Sequence, residues 1–125
     1  MTRREEVIAN YIEAYNRFDI DKMVCDFDIN FVFENIQNGE TDMRLSGLKE
    51  FRQQAEQTKS FFKSRKQIIK SIQHFKNSTE VEIDYNAVLV QDFPNGLKAG
   101  QELNLSGKSI FEFKKNKIIK LTDIS

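Results

Sequence analysis

Residues 101–124 read QELNLSGKSIFEFKKNKIIKLTDI. Leu103, Leu105, Ser109, Phe111 and Phe113 recur in two-residue steps as far as Lys115-Asn116, and Ile119, Leu121 and Asp123 resume the same steps beyond it. Alternation of that period marks a half-buried strand, and a polar pair between two such runs marks a turn. The stretch therefore predicts a hairpin of two long strands, Gln101–Phe113 and Lys117–Ile124. Upstream, Val81, Ile83, Tyr85, Ala87 and Leu89 alternate against Glu82, Asp84 and Asn86 within a strand predicted over Glu80–Asp92. Another strand is expected over Lys66–Lys76, ended by the turn Asn77-Ser78, and Pro94-Asn95-Gly96 reads as a loop. The second half is thus a meander of four strands.

The first half has a different period. Val7, Ile8, Tyr11, Ile12, Tyr15 and Phe18 recur at three- and four-residue steps, giving one apolar face to a helix over about residues 3–17. Asp19 and Asp21 are N-cap candidates for a short second helix carrying Met23, Val24 and Phe27. Asn30–Ile36 reads as a strand with Phe31, Phe33 and Asn35 on one face, followed by the tight-turn pair Asn38-Gly39. Ser46 is the expected cap of a third helix whose inward stripe is Leu48, Phe51 and Ala55. Helices gathered at one end and antiparallel strands at the other predict a single α+β domain over residues 1–125, with the sheet curled around the helices.

Lys plus Arg and Asp plus Glu are 19 each, so the net charge is zero and no basic footprint suggests nucleic acid or an anionic membrane. Lys59, Lys63, Arg65, Lys66 and Lys70 form the one local excess, expected as a solvated strand edge. The lone Cys25 excludes an internal disulfide and is expected in the core beside Val24. No apolar run approaches the ~20 residues of a membrane span, and the first residues lack the apolar core of a signal peptide. A cytoplasmic protein is expected. One His, one Cys and scattered carboxylates offer no metal-ligand spacing, and no phosphate loop is present, so neither metal nor cofactor is expected.

Chemistry must come from polar groups on apolar faces, because burying one without a partner costs about 1–3 kcal/mol. Tyr11 puts a hydroxyl on the core stripe of the first helix, with Tyr15 one turn later. Asn35 ends the face begun by Phe31 and Phe33, Ser109 interrupts an apolar run, and Asp123 follows Ile119 and Leu121. Taken alone, each reads more readily as a hydroxyl or amide satisfied by backbone near a sheet end, or, for Asp123, as a group where the strand frays. They come, however, from separate elements that a curled sheet brings onto one concave surface. His74, the only histidine, falls at a strand end and outside that set.

The run from Tyr11 through Asp19 and Asp21 to Phe27, then Phe31-Val-Phe-Glu-Asn35, resembles the start of the nuclear transport factor 2-like superfamily, in its SnoaL-like and ketosteroid isomerase-like branch. Ser46-Gly47-Leu48-Lys-Glu-Phe51 is similar to the third helix of those proteins, and Phe111-Glu-Phe113 with Lys117-Ile118 to their closing hairpin. The resemblance implies a cone of three helices wrapped by a curved, mostly antiparallel sheet, often a homodimer, with a pocket at the open end. Tyr11 matches the tyrosine that stabilises the dienolate oxygen in ketosteroid isomerases. Asn35 and Ser109 stand where that family has its two acids, and an amide cannot abstract a proton, so isomerase activity of that kind is not expected. The SnoaL-like cyclases carry an acid where this chain has Asp123. Surrounded by Phe33, Phe111 and Leu121, it would have a raised pKa and serve as general acid or base.

Three function classes follow. One is a pocket of roughly 300–1,000 Å³ that binds a small apolar or amphipathic molecule through Tyr11, Tyr15, Phe33, Asn35, Ser109, Phe111 and Leu121. Another is a lyase, cyclase or isomerase using Asp123, with Tyr11 as donor. The third is an interaction module whose pocket is filled by the chain's eleven phenylalanines. Homodimerisation is expected through the outer sheet face, where Val88, Val90 and Ile110 add apolar character.

Overall fold

Thr2 and Glu5 start the first helix by capping each other. The Thr2 hydroxyl accepts from the Glu5 amide at 3.1 Å, and the Glu5 carboxylate accepts from the Thr2 amide at 3.1 Å. In the computed structural model, which describes residues 1–93 and 96–125, this helix α1 spans Arg3–Asn16. It buries Val7, Ile8, Tyr11, Ile12 and Ala14. Its end is a Schellman motif, with the Asp19 amide donating to the Ala14 carbonyl at 2.9 Å and the Phe18 amide to the Tyr15 carbonyl at 3.2 Å. Asp19 then caps α2 (Ile20–Met23) by accepting from the Lys22 amide.

The remaining elements are β1 (Phe27–Gln37), β2 (Glu40–Ser46), α3 (Leu48–Lys59), β3 (Phe62–His74), β4 (Ser78–Leu89), β5 (Glu102–Lys114) and β6 (Lys117–Ile124). The six strands form one sheet in the order β2-β1-β6-β5-β4-β3, antiparallel except for the parallel pair β1–β6. Register shifts interrupt β1, β3 and the β5–β6 pairing, and such bulges sharpen the local twist and bend. The sheet accordingly curls around α1 and α3. At its centre Phe27 stacks on Phe31 at 4.1 Å between ring centroids, and Phe51 of α3 meets both edge-on at 5.3 and 5.2 Å.

Several local expectations are corrected. Phe27 begins β1 rather than closing the second helix, because its ring is needed in that aromatic stack. Residues 40–46, unassigned in sequence, pair with β1 as β2. Ser46 is the last residue of that strand, and Gly47 takes the N-cap of α3 at φ +89°, a backbone region that suits glycine. Glu50 supplies a substitute by accepting from the Ser46 amide at 2.9 Å. Cys25 is exposed rather than in the core, with Asn10 and Asp26 beside its sulfur. β3 starts four residues earlier than expected, and β4 covers Ser78–Leu89 in place of Glu80–Asp92. The Gly96 end of the predicted loop is a bend, while Pro94 and Asn95 lie outside the described residues.

Of the outer-face residues, Val88 and Ile110 are half-buried and Val90, just past β4, is exposed. Among the described residues no helix is long and apolar enough to cross a membrane.

Phe31 is fully buried where β1 meets α3. Phe31→Ala is expected to lower unfolding free energy by about 3–5 kcal/mol in urea titrations. A loss under about 1 kcal/mol would mean that the stack does not anchor the core.

Candidate functional site

Parallel pairing of β1 with β6 sets Asn35 opposite Asp123, and antiparallel pairing of β5 with β6 sets Ser109 opposite the same residue. Asn35, Asp123 and Ser109 thus stand side by side on three adjacent strands, facing the helices. α1 crosses this face and presents Tyr11 and Tyr15, while α3 closes one side with Phe51 and Thr58. Between them lies a cavity of about 490 Å³, whose wall includes Tyr11, Tyr15, Phe33, Asn35, Arg65 and Asp123. A smaller lobe of about 210 Å³ shares Tyr15, Asn35 and Asp123 and adds Gln67, Tyr85 and Ser109. Asp123 therefore stands where the two lobes meet.

Each polar group has a definite partner or none. Asp123 Oδ1 accepts from the Ser109 hydroxyl at 2.7 Å, leaving Oδ2 to the cavity. Burial pushes its carboxyl up to about 6, against the lowering effect of the Ser109 hydrogen bond. Asn35 Nδ2 donates to Asp42 of β2 at 2.8 Å. The Tyr15 and Tyr85 hydroxyls are hydrogen-bonded at 3.0 Å. Tyr11 is wedged between Phe27, at 5.5 Å, and Phe111, edge-on at 5.8 Å. Burial first, and then the Asp123 charge, raise its phenol well above the ordinary tyrosine value. Tyr11 thus stays protonated near neutrality, a hydrogen-bond donor and never a base.

Ser109 reaches the larger cavity only through Asp123. Phe111 and Leu121, expected on the wall, are fully buried beneath it, because the helices pack directly on that level of the sheet. His74 lies at the other end of the cone, its Nδ1 at 2.9 Å from the Thr79 hydroxyl and its Nε2 at 3.6 Å from Glu5. Among the described residues no cluster of three or more His, Cys, Asp or Glu is disposed to hold a metal ion.

Several wall residues are not among those expected from the sequence, including Asp42, Gln54, Thr58, Gln67, Tyr85 and Arg65. Tyr85 was on the inward alternation of β4 but not singled out. Arg65, grouped with solvated lysines, is only 5% exposed and lines the cavity. The β3 bulge between Phe62 and Ser64 explains the miss, since it turns Phe62 and Arg65 to the same side despite their odd spacing. Arg65 Nε donates to the Tyr15 carbonyl at 2.9 Å, and its guanidinium lies 3.7 Å from the Tyr15 ring centroid and 4.4 Å from that of Phe18.

No protein-family model matches this sequence, and no curated protein matches it. Solved structures do. A candidate polyketide cyclase from Xanthomonas campestris pv. campestris superposes with a TM-score of 0.84 at 19% identity, over 98% of this chain and 90% of that one. The fold is the one that solved structures described as NTF2-like also have. IdmH, a candidate polyketide cyclase from Streptomyces antibioticus, shares it at a TM-score of 0.80 and 12% identity, over 98% and 91% of the two chains. A cystatin-fold protein from Novosphingobium aromaticivorans shares it at 0.75 and 16% identity, over 100% and 99%. At these identities the fold alone is common ground, and chemistry has to be read from the side chains.

The Asp123 carboxyl holds its proton more tightly in the folded chain, with a value of about 6 against 3.8. Its ionisation therefore opposes folding: stability from this group is greatest below about pH 4 and declines as pH rises through about 6. Asp123→Asn is expected to raise stability at about pH 7.5 by on the order of 1–3 kcal/mol, with the gain vanishing by about pH 4. Paired denaturation curves at the two pH values check this. A variant equally or less stable at both would refute the raised pKa.

Proposed function

We propose that this chain is a SnoaL-like small-molecule-binding domain in which Asp123 exchanges a proton with a bound carbon acid. The observation that carries the reading is a half-buried carboxyl of raised pKa at the junction of two cavity lobes, with a single hydrogen-bond partner. A general base works best when its pKa lies near the working pH, and a value of about 6 meets that condition. The Asp123 carboxylate takes a proton from carbon, and the charge moves onto the substrate's carbonyl oxygen. Tyr11 donates a hydrogen bond to that oxygen, and the protonated Asp123 then returns its proton at carbon or oxygen. Tyr11 suits that task because its phenol is protonated and faces the cavity. Ser109 holds Oδ1, which orients the free oxygen.

Asn35 and Ser109 cannot serve as bases, and both flank Asp123 in register. The proton-transferring group thus lies on the strand between the two positions where ketosteroid isomerases carry acids. The open cavity favours small-molecule binding over an interaction module, whose phenylalanines would fill that space.

Benzoylacetone, an apolar 1,3-diketone, probes the chemistry without a known substrate. In D₂O, the wild-type protein is expected to accelerate exchange of its methylene protons, with the rate rising as pH passes through about 6. Asp123→Asn is expected to reduce this by about 10²–10⁴-fold, and Tyr11→Phe by a smaller factor, as followed by proton NMR. Exchange no faster with the wild type than with Asp123→Asn would sink the proton-transfer reading.

A further inference from the structure

Among the described residues, Arg65 is a buried cation without a counterion. Among the described residues no carboxylate lies within ion-pair distance, and its only hydrogen bond is from Nε to the Tyr15 carbonyl. Its Nη2 is sealed from bulk water and has no partner. The carbonyl end of α1, where Tyr15 sits, offers roughly half a negative charge and so compensates only part of a full positive one. The rings of Tyr15, Phe18 and Phe62 lie against the guanidinium at 3.7, 4.4 and 6.0 Å. Stacking of this kind satisfies the planar face and leaves the N–H edge for something else. A buried charge is normally retained only when it is paired. Nη1, by contrast, is neither sealed nor hydrogen-bonded among the described residues, and the cavity that Arg65 lines is where a pairing group can meet it.

We propose that Arg65 is the anion subsite of the cavity and that the ligand is an amphipathic monocarboxylic acid. Its carboxylate sits on the guanidinium, and its apolar body extends past Tyr15 and Phe51 toward Asp123. Nε is engaged by the Tyr15 carbonyl and Nη2 is sealed, so the carboxylate is received by Nη1 in a charge-assisted hydrogen bond. A dianionic phosphate fits poorly, because Arg65 is the only basic residue described on the wall of the larger lobe, where Asp42 and Asp123 also lie. The inference rests on the ligand-binding role of this cavity proposed above, and it is independent of whether Asp123 moves a proton.

The test compares 4-phenylbutyrate with its neutral isostere 4-phenylbutyramide by isothermal titration calorimetry at neutral pH. The wild-type protein is expected to bind the carboxylate about ten- to a hundredfold more tightly than the amide. Arg65→Gln should abolish that preference while changing amide affinity by less than about threefold, a result that a merely structural arginine would not give. Should Arg65→Gln fail to fold, Arg65→Lys keeps the charge but loses the planar group that the Tyr15 carbonyl and the Tyr15 and Phe18 rings hold in place, and the preference should fall several-fold. Equal wild-type affinity for the two probes, a preference that survives Arg65→Gln, or binding of neither probe below about 10 mM would each overturn the assignment. The two readings fail separately. A retained carboxylate preference without any wild-type benzoylacetone exchange leaves the subsite standing and removes only the proton transfer.

Discussion

The site depends on one pairing, the parallel ladder between β1 and β6. Every other neighbouring pair in the sheet is antiparallel. By inserting β6 between β1 and β5, the chain brings three residues far apart in sequence into one row, with the carboxylate of Asp123 in the middle. A central strand is shielded on both edges and packed under helices. A carboxyl there loses hydration that it would keep at a sheet margin, and this loss is what raises its pKa. Close approach at this end also explains Gly107, where a Cβ would lie 2.7 Å from the Ile124 carbonyl oxygen.

The cavity is polarised along its length. Asp123 and Asp42 are among its wall residues, Arg65 is its one described base, and apolar rings line much of what remains. Opposite charges in one low-dielectric cleft would ordinarily collapse onto each other. Instead each is held by its own partner, Asp123 by the Ser109 hydroxyl and Arg65 by a helix-end carbonyl. The tyrosines bridge the gap: Arg65 lowers the phenol pKa of both Tyr11 and Tyr15 while Asp123 raises it, and desolvation outweighs Arg65 in both. The result is a cleft whose donors remain donors across the physiological range.

Much of this was legible in the sequence. Period-two alternation gave β6 its bounds, and period 3.6 gave α1 to within a residue. Asp123 stood out because an ionisable group on an apolar stripe needs a reason to be there. What the sequence hid has a common physical origin in local irregularity. β2 is mostly polar and exposed, and its only half-buried residues, Met43 and Leu45, make an alternation too short to mark a strand before β1 pairs with it. The β3 bulge changes side-chain parity between Phe62 and Arg65, so that a residue belonging by composition to a lysine-rich edge is turned inward. Phe111 and Leu121 sit on the correct face but one level too deep, and depth along a strand depends on where helices cross it.

Phe18 carries a consequence for how this chain can change. Its φ of +59° puts a bulky side chain in a backbone region that favours glycine, at the position where α1 ends. The ring so placed lies 4.4 Å from Arg65. Glycine at this position would relieve the backbone but strip away part of the guanidinium's cover. Backbone ease and recognition therefore pull in opposite directions at one residue, and relieving the first erodes the cleft that the second depends on.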